Sequence, residues 1–257
     1  MVCQSQDERW VRDCRDLFET FGWCAPLKHL LMLTAYLDES GIEEERVVVA
    51  GFLGNKVQWD TFGPRWIEER GAKKFVHCKE LRWQNERTKQ LLERLGPVAK
   101  ECGLTPLHGS VRVSDFIDLV PERMRPRFKG YLLCLYAVVL HILKSVPFDE
   151  RIKLVLEQQN EYELSAMRIF ALFAEAGNKD ALEVSYVSKT SCMLLEPADC
   201  LAHCILQLQR DQTSHKAQLC APILGDREGI GEQIPRERAR RLTEDLVKWI
   251  RNGRLSE

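Results

Sequence analysis

The first strongly patterned stretch of the chain, residues 31–41, is an apolar run that ends in two adjacent carboxylates and a Ser-Gly turn. Its alternation predicts a β-strand, because successive side chains of a strand point to opposite faces. Residues 46–54 are β-branched and apolar and follow a short polar link, so we expect an antiparallel hairpin. Acid at the end of a buried strand can hold a metal at the edge of a sheet, which makes Asp38 the first candidate for chemistry.

Strand and helix patterns alternate along the rest of the chain. The predicted strands are 107–113, 151–157 and 182–188, and the predicted helices are 85–102, 129–145, 160–177, 196–210 and 236–251. The run 151–157 is too apolar for an edge strand, so we expect it beside 31–38, parallel to it and in the middle of the sheet. An antiparallel start followed by helix-separated parallel strands predicts an α/β fold, a mixed sheet with helices on both faces.

Three parts of the chain are distinguished by these patterns. We expect residues 1–30 to form an N-terminal amphipathic helix, either an appendage or a helix packed on the domain, and residues 31–210 to form the main domain. This domain contains a helical insertion at about 55–103, in which a Gly-Pro pair interrupts an aromatic helical pattern, so we expect a broken helix there. Residues 211–257 form a C-terminal tail with a basic amphipathic helix.

Composition narrows the class of protein. The 37 Lys and Arg residues balance 38 Asp and Glu residues, so the basic excess of many nucleic-acid-binding proteins is missing, although a local basic groove stays possible. A hydrophobic content of 45% is ordinary for a globular protein, and no apolar run reaches the roughly 18 residues of a membrane span. We therefore expect a cytoplasmic protein without a membrane partner.

Ten cysteines are scattered along the chain without a CxxC pair. We expect all of them to be free thiols, mostly buried. Asp199, Cys200, His203 and Cys204 have helical spacing, which raises zinc as an alternative. Since no second ligand pair has zinc-like spacing, we expect Cys200 and Cys204 to face apolar packing instead.

Two further carboxylates occupy positions that match Asp38. Glu157 ends the predicted strand 151–157, and Asp199 lies in the first turn of the predicted helix 196–210. Hard divalent cations prefer carboxylate oxygens, so the three acids together make one testable metal site. His77 and Glu80 form a second candidate pair for metal or substrate.

Each candidate also has a purely structural interpretation. Asp38 can belong to a hairpin turn, where Asp and Gly are favoured, and Glu157 can belong to a polar loop. Strand alternation directs Glu39 away from Asp38, so we expect Glu39 to be a solvent-facing turn residue. His77 fits a hydrogen-bonded structural histidine equally well.

Four motifs make the resemblance to a known family specific: YLDESG at 36–41, VAGFL at 49–53, FVHCKEL at 75–81 and EPADCLAH at 196–203. The chain resembles the bacterial family known as domain of unknown function 3800, and its element order resembles the ribonuclease-H-like fold. The resemblance covers about residues 32–209 and implies a nuclease-like metal site on Asp38, Glu157 and Asp199.

Two departures from this resemblance affect the expected site. The predicted helix 129–145 offers no inward acid, only His141, so His77 and Glu80 are expected to supply the missing group. Glu196 and Pro197 stand where the family more often has an amide and an apolar residue.

Two classes of function follow from these patterns. The placed carboxylates favour a metal-dependent nuclease or phosphodiesterase-like hydrolase that acts on nucleic acid with Mg²⁺ or Mn²⁺. The neutral net charge and the missing fourth acid favour a non-catalytic binding module for nucleic acid or a protein partner.

Overall fold

The structure is a computed structural model that describes residues 32–41, 45–125, 130–146, 150–158, 182–224 and 231–251. The predicted helices at 1–30 and 160–177 lie outside these ranges. The described strands are β1 (Leu33–Ser40), β2 (Arg46–Asn55), β3 (Thr105–Arg112), β4 (Ile152–Glu157), β5 (Leu182–Val187) and β6 (Gly231–Gln233). The described helices are α1 (Lys56–Arg70), α2 (Glu86–Glu101), α3 (Tyr131–Ser145), α4 (Glu196–Arg210), α5 (His215–Leu224) and α6 (Arg236–Arg251).

One mixed sheet holds these strands in the order β5-β4-β1-β2-β3-β6. β2 is antiparallel to β1 and β3, whereas β4 is parallel to β1 and β5 is parallel to β4. The prediction that 31–38 and 151–157 are adjacent parallel strands in mid-sheet is confirmed. Their register runs from Leu33 opposite Ile152 to Leu37 opposite Leu156, so Asp38 and Glu157 follow the last pair on both strands.

Helices cover both faces of the sheet, as predicted. Ala35 and Leu37 of β1 share a buried cluster with residues of α3 and α6, which defines the α3 face. Tyr36 belongs to the other cluster, with residues of α1, α2, α4 and α5, which defines the α4 face. Since side chains alternate along a strand, Asp38 emerges on the α4 face.

Close backbone approach explains a glycine in the centre of the sheet. Gly51 lies opposite Leu37 in the β1–β2 ladder, and a Cβ at this position would collide with the Tyr36 carbonyl oxygen. A glycine in a strand interior is otherwise unfavourable, since it has no side chain to pack. The close approach of β1 and β2 therefore depends on Gly51.

Helix α1 runs unbroken through Pro64, so the predicted break is wrong. A capping box fixes its start, because the Asn55 side chain accepts from the Gln58 N–H and the Gln58 side chain accepts from the Asn55 N–H. The rest of the helix is stabilised by a buried aromatic face, formed by Trp59, Phe62 and Trp66. These contacts offset the one backbone hydrogen bond that proline cannot donate.

The segment after residue 210, predicted as a tail, contributes a strand and two helices to the same fold. α5 packs on α2 and α4, and β6 pairs with β3. Ile234 and Ala239 are buried in the cluster of the α3 face. Across the described ranges, none of the helices combines the length and apolarity needed to cross a membrane.

Candidate metal-binding site

The three predicted carboxylates meet at one point of the fold, and a lysine ammonium lies between them. Lys189 Nζ is 2.6 Å from Asp38 Oδ2, 3.1 Å from Asp199 Oδ1 and 3.2 Å from Glu157 Oε2. Because all three oxygens lie within 3.2 Å of the same nitrogen, any two of them are separated by at most twice that distance. The sequence pattern predicted that the three acids lie together, but it gave no signal for Lys189.

Strand pairing and helix packing bring these side chains together. Asp38 and Glu157 lie at the carboxyl ends of adjacent parallel strands, which share one edge of the sheet. Asp199 comes from the first turn of α4, which packs across β1 and β2. The backbone N–H groups of a helix start favour a negative charge in this turn.

Asp38 is an internal residue of β1, opposite Ala50, so the hairpin-turn interpretation is wrong. Its Oδ1 accepts the Glu39 N–H at 2.9 Å. Its Oδ2 is buried and forms an ion pair with the Lys189 ammonium at 2.6 Å. Burial, then the nearby charge of Glu39, raises the pKa of Asp38 well above its usual value, although Lys189 opposes this.

Glu39 belongs to the acidic group, so its predicted solvent-facing position is wrong. Glu39 is half-buried and lies within β1, opposite Val49 of β2. One oxygen each of Asp38, Glu39 and Glu157 lie within 4.8 Å of one another. Burial and the Glu157 charge raise the pKa of Glu39 to about 7, with Lys189 acting in the opposite direction.

Asp199 is buried, and protein groups surround its carboxylate. Its Oδ2 accepts the Cys78 N–H at 2.8 Å and lies 3.2 Å from His77 Nδ1. Burial alone would raise the pKa of Asp199, but the bonds from His77 and Cys78 and the Lys189 charge lower it to about 2. Asp199 is therefore a fixed negative charge at neutral pH.

Lys189 enters the site from the turn that follows β5. Its side chain is 13% exposed, while Ser188 and Thr190 on either side are exposed. Burial acts to lower the pKa of Lys189, but the charges of Asp38 and Asp199 outweigh it and raise this pKa above the usual value. The ammonium is therefore charged and acts as the counter-ion of the acids.

His77 and Glu80, the pair expected to supply the missing acid, have different positions relative to the site. His77 contacts Asp199, whereas Glu80 is exposed in a 3-10 turn, Cys78–Glu80. Two groups of described residues place their ligand atoms within 4.8 Å of one another, Asp38–Glu39–Glu157 and Cys78–Asp199–Cys200, and Glu80 belongs to neither. His141 lies on α3 with Ser145 Oγ at 3.4 Å from its Nε2, and it also belongs to neither group. Among the described residues, Glu39 is the further acid that lies close to Asp38 and Glu157.

The donor set fits a hard divalent cation. Asp38, Glu39, Glu157 and Asp199 are all carboxylates, the ligands that Mg²⁺ and Mn²⁺ prefer, and the first three are close enough to share one ion. Lys189 forms ion pairs with Asp38, Glu157 and Asp199, and His77 lies 3.2 Å from Asp199. The excess of negative charge in a buried site favours a further cation.

Most of the described cysteines are buried, and Cys78 and Cys200 each place a thiol within 4.8 Å of one Asp199 oxygen. The seven described cysteines are free, as predicted, and the other three lie outside the described residues. Cys200 and Cys204 are fully buried in the cluster of the α4 face, which confirms their predicted apolar packing. A hydrogen bond with Cys78 and then burial raise the pKa of Cys200 well above that of a free thiol.

Glu196, a departure from the family pattern, has a structural partner. It is fully buried, and its carboxylate lies 2.8 Å from Arg70 Nη1 and accepts the Trp66 indole N–H at 3.1 Å. This pair joins α1 to the start of α4. The ionic contact therefore fixes the helix turn that presents Asp199.

A scan of the sequence against protein families and a search of curated proteins gave no match. Among solved structures, a chain from the "Structure of the PCNA:RNase HII complex from Archaeoglobus fulgidus" is similar at 17% sequence identity, with a TM-score of 0.40. The match covers 87% of this chain and 91% of that chain.

Proposed function

We propose that this chain is a metal-dependent phosphodiester hydrolase of ribonuclease-H-like fold that acts on nucleic acid. The observation that carries the proposal is the convergence of Asp38, Glu157 and Asp199 on a single cationic group. Three antiparallel strands followed by parallel β4 and β5 support the fold assignment. The motifs at 36–41 and 49–53 support kinship with domain of unknown function 3800.

The chain's own residues have distinct parts in this proposal. Asp38 and Glu157 hold Mg²⁺ or Mn²⁺ at the strand ends, and Glu39 adds a third oxygen beside them. His77 and the Cys78 N–H orient Asp199 toward the same point. A metal held by these residues would supply an activated water and charge stabilisation at the leaving oxygen of the phosphodiester. The rigid sheet keeps the ligands in place without reorganisation.

The position of Lys189 favours one rival, a non-catalytic binding module. An ammonium that pairs with three carboxylates satisfies them without any metal. In that case the acids are a buried structural network, and the fold serves only to bind a partner. This alternative predicts that divalent ions neither bind to nor stabilise the chain.

Hydrolysis assays on purified protein separate these two functions. We expect cleavage of at least one of four labelled oligonucleotides, single- or double-stranded DNA or RNA, in Mn²⁺ or Mg²⁺ and none in EDTA. Asp38→Asn and Asp199→Asn should lose about 100-fold or more of this rate, since each removes a metal ligand. Glu68→Gln, which changes an exposed acid on α1, is the matched control and should cleave at the parental rate.

Two results would argue against the hydrolase. Cleavage that persists at the parental rate in Asp38→Asn would show that the activity comes from elsewhere. Absence of cleavage together with absence of Mn²⁺ binding by calorimetry would favour the binding module.

A further inference from the structure

We propose that Lys189 is a built-in competitor for the metal: its ammonium fills the cation position among the acids, and a divalent ion enters only when that ammonium leaves. The inference rests on the proposed function, because it concerns how the same carboxylates acquire their metal. It adds a regulatory part to the site that the carboxylates alone do not have.

The contacts of Lys189 match those of a bound cation. An ammonium has three N–H donors, and here three carboxylate oxygens, from Asp38, Asp199 and Glu157, lie 2.6 to 3.2 Å from its nitrogen. Mg²⁺ takes carboxylate oxygens at about 2.0 to 2.1 Å, so an ion on these ligands would occupy the space of the ammonium. The two positive charges also repel each other at such short range. Occupancy by one therefore excludes the other.

The local structure allows the side chain to leave without unfolding. The turn after β5 is closed by its own bonds: the Ser191 and Cys192 N–H groups donate to the Ser188 carbonyl, and the Ser188 and Thr190 hydroxyls lie 2.8 Å apart. None of these bonds involves the Lys189 side chain. Its flexible four-carbon stem starts between exposed residues, so rotation about the stem is enough to move the ammonium to solvent.

Competition lowers the apparent metal affinity in a predictable way. When only a fraction of molecules have an open site, the apparent dissociation constant is the intrinsic one divided by that fraction. Removal of the ammonium should therefore tighten Mn²⁺ binding, by about tenfold if about one site in ten is open in the wild type. The bound metal should in turn drive Lys189 into solvent, since the coupling is reciprocal.

Lys153 provides a matched control within the same sheet. It is a buried lysine of β4, four residues before Glu157, and its Nζ lies 2.7 Å from Glu183. Lys189→Met and Lys153→Met make the same chemical change at these two positions. A general effect of removing a buried lysine would appear in both variants.

Calorimetric titration of Mn²⁺ into the three proteins is the first test. We expect Lys189→Met to bind at least about tenfold more tightly than the wild type, and Lys153→Met to bind as the wild type does. Equal or weaker binding by Lys189→Met would overturn the competition while leaving the hydrolase standing. If none of the three proteins binds Mn²⁺, both the competition and the proposed function fail.

Amine labelling of the wild type is the second test, and it does not require the variant to fold. An N-hydroxysuccinimide ester should acetylate Lys189 several-fold faster with saturating Mn²⁺ than in EDTA, while the rate at Lys153 stays constant. Mass spectrometry of the peptides reports both rates in one sample. If Mn²⁺ binds without changing the labelling of Lys189, the ammonium has not been displaced and the inference is wrong.

Discussion

Neutralising Glu39 should stabilise the protein at high pH but not at low pH. In the folded state, burial and the charge of Glu157 raise the pKa of Glu39 from 4.5 to about 7. Each pKa unit corresponds to about 1.4 kcal/mol, so the ionised carboxylate is disfavoured in the folded state by about 3 kcal/mol. Because Glu39 is only half-buried, solvent screening makes this figure an upper value, and about 2 to 3 kcal/mol is expected.

The sign of the pH dependence follows from proton binding. Between pH 4.5 and about 7 the folded state binds more protons at Glu39 than the unfolded state, so the free energy of unfolding falls as pH rises. Glu39→Gln has no such proton to lose. The gain of Glu39→Gln over the wild type should therefore be near zero at pH 4, grow through this window and level off above pH 7.

Urea denaturation in EDTA between pH 4 and 8.5 measures this difference directly. Glu68→Gln serves as the control, because that acid is exposed on α1 and should leave the pH profile unchanged. A Glu39→Gln profile parallel to that of the wild type would refute the argument. It would mean that Glu39 ionises in the folded protein as freely as in the unfolded chain.

Three further predictions follow from other contacts. Asp38→Asn should melt at or above the wild-type temperature in EDTA, because a repelling charge is removed while Lys189 keeps two acidic partners. In Mn²⁺, however, this variant should lose the rise in melting temperature that the ion gives the wild type. Glu196→Ala should lower the free energy of unfolding in urea by about 3 to 5 kcal/mol, because Arg70 would stay buried without its carboxylate. Gly51→Ala should lower it by about 1 to 3 kcal/mol, because its Cβ has no space beside β1.

Each of these has a clear contrary result. An Mn²⁺-dependent rise in melting temperature that survives in Asp38→Asn would remove this residue from the metal ligands. Wild-type stability of Glu196→Ala would mean that the buried contact with Arg70 has no net value, and wild-type stability of Gly51→Ala would mean that the strands separate at little cost.

The sheet and the meeting of three acids could be predicted from the sequence because they depend on periodicity. A continuous apolar run identifies 151–157 as a central strand, and once it lies parallel to β1, Asp38 and Glu157 must end at the same edge. Asp199 follows from the start of a helix that packs on β1 and β2. These relations need no knowledge of individual side-chain conformations.

The rest of the site depends on contacts that leave no periodic signal. Lys189 stands in a short polar turn, where a lysine is ordinarily solvated, and it reaches the acids only because β5 is placed beside β4. Glu39 alternates away from Asp38, yet its carboxylate lies close to Asp38 and Glu157 at the strand end. Helix α1 continues through Pro64 because its aromatic side chains are buried, whereas the Gly-Pro pair in the sequence indicates a helix break.

Anomalous diffraction from crystals of the wild type grown with Mn²⁺ tests the central claim most directly. The account predicts one or two anomalous peaks bound by oxygens of Asp38 and Glu157, close to Asp199, with the Lys189 ammonium displaced from its place among them. A structure at saturating Mn²⁺ with no peak at these acids, and with Lys189 Nζ still bound to all three carboxylates, would contradict it.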